Sequence, residues 1–350
     1  MAAAAVDRPT PRPAPRALWM AAVGDIMLDR KVGKLINANG TESILAKVRN
    51  RLQAPNLTFG NLECPLSTEG PHDPHNCCFR AQPGTVAVLQ DGGFDVVSLA
   101  NNHSLNAGRE GILQTLETLD KARIAYCGAR RERERGMEPT ILRVGGLRVG
   151  FMAFTDLSFE HGSYSKFTGD GEAACAAVTS ARGQCDLLFV SVHWGEEYQS
   201  MPQQSQTKTA RALLDAGADC ILGHHPHTLQ GIGVYKGKPI LYSMGNFVFD
   251  QRQGERMESA VFELFYKEPG LWQINATPVW IPPDRLGPIY PAAERSQGIA
   301  RRLRDISTAL GTPARVENGR VVVRISPPAA PAQPAVGEQP AQNSAPAPGV

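Results

Sequence analysis

Residues 186–193 read DLLFVSVH and residues 220–227 read CILGHHPH. Residues 186–192 form an apolar, β-branched and aromatic run, which predicts a strand buried on both faces and ending at His193. Residues 220–222 repeat this on a smaller scale and stop at Gly223-His224-His225. The intervening 206–216 reads as a helix. Strand, helix and strand, with both strands apolar, predict parallel neighbours in an α/β layer, and each of these strands ends on histidine.

The same rhythm runs outward in both directions. Residues 18–23 form an apolar run that stops at Gly24-Asp25, and a helix is expected over about 34–51. Residues 57–62 predict a short strand before Glu63. Residues 95–100 (DVVSLA) predict another, before Asn101-Asn102-His103. Ile112, Leu113, Leu116 and Leu119 place a helix over 108–122. Gly145-Gly146 turns a hairpin between 141–144 and 147–154, and Lys236-Gly237-Lys238 turns one between 234–235 and 239–242. Strands at 258–266 and 273–279 follow. The expected architecture is α/β, with mixed sheets, helices outside and antiparallel strands at the close.

Composition narrows the function classes. A net charge of +2 over 350 residues gives no broad electrostatic case for nucleic acid or a membrane surface, and no apolar stretch reaches membrane-span length. The basic run 130–135 is interleaved with Glu132 and Glu134 and reads as a solvated loop. Seven cysteines without CxxC spacing argue against a structural zinc site and for free thiols. With no leader-like segment at residues 1–15, the expected location is the cytoplasm. Residues 1–16 and 326–350 are rich in Pro and Ala and are expected to be disordered, which leaves one folded domain over 17–325.

The chemistry sits at the strand ends. Asp25, Glu63, Asn102, His193, His225 and His227 all follow apolar strands, and parallel sheets gather such ends at one edge. Mixed oxygen and imidazole donors suit Mn²⁺, Fe or Zn²⁺ better than Ca²⁺. Each motif has an ordinary alternative: a turn Asp, a solvated Glu, an Asn bonding its own backbone, a hydrogen-bonded core His. Three histidines in 224–227 are the strongest single signal, and His224, next to a donor in an extended loop, is expected to point away. His72 and His75, beside Cys77 and Cys78, read as exposed or lid residues. Cys64 reads as a small buried thiol. Ser243 lacks a GxSxG elbow, and neither a P-loop nor a GxGxxG is present.

The strings VGDIML (23–28), GNLE (60–63), SLANNHSL (98–105), VHWGE (192–196), GHHPH (223–227) and YSMGNFVFD (242–250) together resemble the CapA family, the poly-γ-glutamate capsule synthesis proteins. They stand in family order over about 21–250. The family is similar to calcineurin-like metallophosphoesterases, so the resemblance implies a four-layer αββα sandwich around two divalent metal ions (Mn, Fe, Zn or Mg). It implies Asp25, Glu63, Asn102, His193, His225 and His227 as metal ligands, and His103 as the catalytic group that protonates a leaving group. Arg80 is read as a forked contact for an anionic substrate, with an ordinary surface arginine as the alternative. The implied function is a metal-dependent hydrolase-like protein of capsule, poly-γ-glutamate or related anionic-polymer metabolism, acting on a polymer or a phosphate- or carboxylate-bearing small substrate. A non-catalytic polymer-binding or assembly component with a degenerate metal site is the alternative. Two positions depart from the pattern. Met27 stands where the wider superfamily has His, and a thioether is a poor ligand for a hard ion. Asn106 stands where the family usually has Asp; it is expected to cap the helix opening near Gly108 while lacking the charge that would hold a proton on His103.

Overall fold

The computed structural model describes residues 16–73, 78–132, 135–157 and 171–326. Both expected tails lie outside these, apart from Arg16 and Ser326, and so do His75 and Cys77. Arg16 is held in the fold by ion pairs to Glu268 at 2.6 Å and Asp186 at 3.1 Å.

Two sheets face each other. The first has a parallel half of β1 (Ala17–Ile26), β2 (Leu57–Leu62), β3 (Val96–Ser98) and β4 (Ala125–Cys127). The second runs β5 (Thr140–Val144), β6 (Leu147–Thr155), β7 (Leu187–His193), β8 (Cys220–His224), β10 (Lys238–Leu241) and β9 (Ile232–Tyr235). Here β6, β7, β8 and β10 are parallel and both edges are antiparallel. The first sheet is completed by β11 (Asn246–Val248), parallel to the end of β1, and by the antiparallel β12 (Glu258–Lys267), β13 (Leu271–Trp280), β15 (Arg320–Ile325) and β14 (Arg315–Glu317).

Alternation along the strands explains the layers. Leu18, Met20 and Ala22 of β1, Phe59 of β2, Phe151 of β6, Phe189 of β7 and Phe262 of β12 point between the sheets. The opposite face of β1, through Ala21 and Val23, packs on α1 (Arg30–Asn39), α2 (Glu42–Leu45), α3 (Arg49–Gln53), α4 (Val86–Gly92) and α5 (Gly108–Ala122). Leu188 and Val190 on the outer face of β7 pack on α6 (Glu172–Ala181) and α7 (Gln204–Asp215). The run at 187–192 is apolar apart from Ser191 because both of its faces are covered. The result is a four-layer αββα sandwich. Ile299, Ala300 and Leu303 of α8 (Ala293–Ala309) join the core between the sheets.

The helix expected over 34–51 is instead three short helices. Gly40, at φ +84°, ends the first, its N–H bonding Ile36 O at 2.9 Å; glycine reaches this left-handed conformation without the steric cost of a side chain. Among the described residues, no helix is long and apolar enough to cross a membrane.

Asp186 ties the strand edges together. It accepts the Arg148 backbone N–H at 2.7 Å and a guanidinium N–H of the same residue at 3.2 Å. These bonds hold its carboxyl down at about 2. A depressed acid contributes stability above its unfolded value, near 4, and loses it as pH falls through the folded value. Asp186→Asn is therefore expected to melt lower than the unaltered protein at neutral pH, with the gap narrowing below about pH 4. A gap that stays constant down to the acid limit of the fold would refute this assignment.

Candidate metal centre

The polar residues form two facing rows. Across the first sheet Asn246, Asp25 and Asn61 sit side by side in register. Across the second, Thr155, His193 and His224 do the same. Asp25, His193 and His224 thus lie within strands, not on loops, and Glu63 directly follows β2. Among the expected ligands, the oxygen donors belong to or follow strands of the first sheet and the imidazoles belong to or follow strands of the second, while His103 follows β3 of the first.

A glycine precedes each row at a crossing. An added Cβ on Gly24 would stand 1.8 Å from Gly245 O, and one on Gly223 would stand 2.0 Å from Tyr242 O. Asp25 N–H bonds that same Gly245 O at 2.9 Å. Beyond β8 the chain turns sharply, with His225 at φ +95° and His227 at φ +57°. Non-glycine residues in this region are uncommon and cost energy, and they concentrate at functional sites.

The six expected ligands converge. Asp25 and Glu63 are wholly buried. Glu63 Oε1 lies 3.9 Å from His193 Nε2, 3.8 Å from His227 Nε2 and 3.9 Å from His103 Nε2. Asn102 Oδ1 lies 2.8 Å from His193 Nε2, and the His193 and His225 rings are 4.9 Å apart. Two groups bring their donor atoms within 4.8 Å of one another: Asp25, Glu63 and His193, and Glu197, His225 and His227.

His224 departs from expectation. As the last residue of β8 it points into the core, and its Nδ1 lies 3.0 Å from Asp25 Oδ1. It belongs to neither group, but it anchors a member of one. Its strand periodicity extends further than the apolar run suggested, which reverses its side.

These residues fit divalent metal. Glu63 Oε1 and Asp25 Oδ2 are buried without a hydrogen bond, as are His224 Nε2 and His225 Nδ1. Separations of 3.8–3.9 Å from Glu63 Oε1 to three ring nitrogens are too long for hydrogen bonds and suit donors sharing a cation. The electrostatics agree. Burial opposes the Asp25 charge, but His224 and His227 hold its carboxyl well below the usual range. Burial, then the charge of Asp25, pushes Glu63 well above its own. Burial, then His225, holds His193 well below the ordinary imidazole value, and burial, then His227, brings His225 down to about 4. His193 and His225 therefore stand neutral, the form that ligates metal.

His103 sits beside this cluster. Its ring stacks on Phe79 at 4.1 Å, and its Nδ1 lies 2.8 Å from Asn106 Oδ1. Asn106 Oδ1 also accepts the Phe79 N–H at 2.9 Å, so Nδ1 carries the proton and the lone pair of Nε2 faces Glu63. Burial draws the ring down to about 4, against the Asn106 bond. Asn106 therefore does not cap α5, which starts after Ala107 with no side-chain cap bond; its amide is committed to His103 and Phe79.

Arg80 is not brought into the cluster: its guanidinium bonds the carbonyls of Thr68 at 3.0 Å and Gly70 at 2.7 Å. Arg30 lies nearer, paired with Asp250 and lying 4.6 Å over the Phe79 ring. Met27 is buried among the helix-side apolar residues, its sulfur accepting the Asp29 N–H at 3.2 Å. His72 meets Asp29 at 3.0 Å. Burial raises the Cys64 thiol, as for an inert core residue.

Sequence reasoning missed the amides that organise the site. Asn61 Nδ2 donates to Asp25 Oδ1 at 2.9 Å, and Asn246 Oδ1 meets His227 Nδ1 at 2.9 Å. It also missed Glu197, four residues past His193; an exposed acid in a loop carried no signal of its own.

Fold and centre together define a metallophosphoesterase-like protein with two groups of residues able to hold metal ions. The chain belongs to the family described as bacterial capsule synthesis protein PGA_cap, matched over residues 19–251. It is 32% identical over 304 residues to the capsule biosynthesis protein CapA of Bacillus anthracis, covering 83% of this chain and 74% of that one. It is also 32% identical over 311 residues to the PGA biosynthesis protein CapA of Bacillus subtilis (strain 168), covering 87% and 81%. Among solved structures, the 5'-nucleotidase of Candida albicans SC5314 aligns with a TM-score of 0.44 at 14% identity, over 85% of this chain and 60% of that one.

Proposed function

We propose that the protein is a divalent-metal-dependent hydrolase acting in capsule, poly-γ-glutamate or related anionic-polymer metabolism. The observation that carries this reading is Glu63, a buried carboxylate with an unbonded oxygen set among three ring nitrogens. Asp25, Glu63, Asn102, His193, His225 and His227 would hold two ions. Such ions polarise a phosphoryl or carbonyl oxygen and acidify a bound water. The chain supplies the rest. Asn61 and Asn246 fix Asp25 and His227 by hydrogen bonds, and Phe79 fixes the plane of His103. With Nδ1–H committed to Asn106, the Nε2 lone pair of His103 faces the cluster and would first take up the proton released by the attacking water, then pass that proton from Nε2 to the leaving group. The names of the relatives connect the substrate to capsule and PGA biosynthesis.

His103→Ala tests the assignment. It is expected to keep the metal content of the unaltered protein and to lose roughly 10²–10⁴-fold in turnover on a panel of phosphodiester and γ-glutamyl substrates. Metal loss in this variant would make His103 a ligand and sink its proposed role.

Met27 favours a second reading, in which the protein binds polymer or serves assembly without catalysis. Its thioether is committed to the core, so one ion has fewer donors. Metal-loaded protein that turns over no member of the panel would select this reading.

A further inference from the structure

Along β8, Cys220 and Leu222 face the space between the sheets and Ile221 faces the outer helices. The period of two carries His224 to the inner side with them. There it is wholly buried, and its Nδ1 lies 3.0 Å from Asp25 Oδ1. An ionised carboxylate only accepts, so Nδ1–H donates. Nε2, the other ring nitrogen, is buried without a hydrogen bond. Of the histidines at 224–227, His224 alone belongs to neither group of donors found among the described residues. An imidazole with one nitrogen unpartnered is a costly filling for an apolar strand position, so its value lies in the bond to Asp25.

That bond completes the fixing of one carboxylate. Asp25 Oδ1 accepts from Asn61 Nδ2 at 2.9 Å, within its own sheet, and from His224 Nδ1, across the gap from the other sheet. Two donors from two directions stop the carboxylate from turning, where one would leave it a swivel. Asp25 Oδ2 is left buried without a hydrogen bond, 3.3 Å from His227 Nδ1, and His227 spends that nitrogen on Asn246. The residues that follow cannot share the task. Met27 sulfur accepts the Asp29 N–H, and Asp29 Oδ2 accepts the Arg80 N–H and meets His72. The position of Asp25 Oδ2 therefore decides what this segment offers an ion.

We infer that His224 is a positioning residue of the metal centre: its Nδ1–H holds Asp25 Oδ1 so that Oδ2 is presented to an ion, and its ring ligates nothing. The inference rests on the divalent-metal part of the reading above and does not need hydrolysis. Ligands of metal ions are commonly oriented by such outer partners, whose loss costs roughly 10–100-fold in metal affinity. Here the histidine is the outer partner and the carboxylate is the ligand, the reverse of the carboxylate–histidine–metal order.

The test reads metal binding by the full chain, at a temperature where every variant is folded. His224→Leu keeps about the bulk of the ring and loses the donor, and it is expected to weaken Mn²⁺ or Zn²⁺ binding roughly 10–100-fold. His224→Asn carries an amide N–H to the place of Nδ1. It is expected to bind nearly as tightly as the unaltered protein, even though its melting temperature falls. Should His224→Leu not fold, His224→Gln replaces it: its amide lies one bond further out, at the place of Nε2, and the same loss is expected. The second readout is ¹¹³Cd²⁺ bound to the unaltered protein with ¹⁵N-labelled histidine. Spin coupling is expected to ring nitrogens of His193, His225 and His227, and none to His224. Coupling to His224 makes it a ligand and overturns the inference. Full affinity in the variant without the donor overturns it too, leaving a structural histidine, and so does a loss in His224→Asn equal to that in His224→Leu. Turnover separates this inference from the wider reading. Affinities that fall as expected, in a protein that hydrolyses no member of the panel, sink the hydrolase and keep the positioning role. Unaltered protein that binds no divalent metal overturns both.

Discussion

Glu63→Gln protein is expected to lose more than about 100-fold in divalent-metal affinity, beyond what removing an outer hydrogen-bond partner of a ligand costs, while its metal-free form melts no lower than the unaltered one. The two halves of this result have one cause. Without metal, burial and Asp25 drive Glu63 toward its neutral form, and glutamine is close to that form in shape. Its amide can keep the contact that Asn61 Nδ2 makes with Glu63 Oε2 at 3.3 Å and turn its N–H groups toward the imidazoles. With metal, the charge is required and glutamine lacks it. A ligand at about a hundred times its dissociation constant stabilises by about 2.7 kcal/mol. In a domain of this size that is roughly 4 °C of melting temperature, and the variant should forfeit this increment. Metal analysis and melting curves with and without chelator read both halves. A variant that melts several degrees lower in chelator but binds metal normally would show Glu63 to be a structural acid.

Gly24→Ala should lower the melting temperature by about 10 °C or more, or prevent folding altogether. The added carbon would overlap Gly245 O at 1.8 Å, Gly245 C at 2.7 Å and Met244 O at 2.9 Å. All three are backbone atoms, so no rotamer change relieves them, and the cost exceeds the ~1–3 kcal/mol of ordinary overpacking. The segment that would have to move carries Asn246 and the carbonyl that accepts Asp25 N–H. Gly298→Ala is the control. It lies in α8 with nothing within 4 Å of its added carbon, and replacing a helical glycine by alanine should stabilise by about 0.5–1 kcal/mol. Equal melting of the two variants would show that the β1–β11 crossing yields easily.

Elements with one strong period could be read from sequence. The strand at 57–62 and the helix at 108–122 have the expected bounds. The hairpin at Gly145-Gly146 forms between β5 and β6. The helix α8 escaped notice because its buried stripe is thin, Ile299, Ala300, Leu303 and Ser307 in an arginine-rich segment. The strand at 18–23 runs on to Ile26 because it resumes pairing with β2 past an irregularity between Ala22 and Asp25, and nothing local announces that. At the site, histidines and carboxylates stood out by type and position. Asn61 and Asn246 did not, since an isolated amide at a strand end resembles any turn residue. His224 was misplaced because its direction is fixed by pairing with His193 across β7 and β8, a relation between strands that a single strand does not encode.

The division of donors between the sheets has a mechanical consequence. Asp25, Glu63 and the amides ride on one slab, and most imidazoles, with Glu197, on the other, so the gap between them is set like the jaws of a caliper by whatever separates the slabs. Phe59 of the first sheet stacks on Phe151 of the second at 5.9 Å, Phe151 stacks on Phe189 at 5.4 Å, and Phe59 also lies 6.0 Å from the His224 ring. These rings are spacers. The width of that gap, and with it the radius of any cation the two groups could hold, would be adjustable from within the hydrophobic interior, by side chains that belong to neither group.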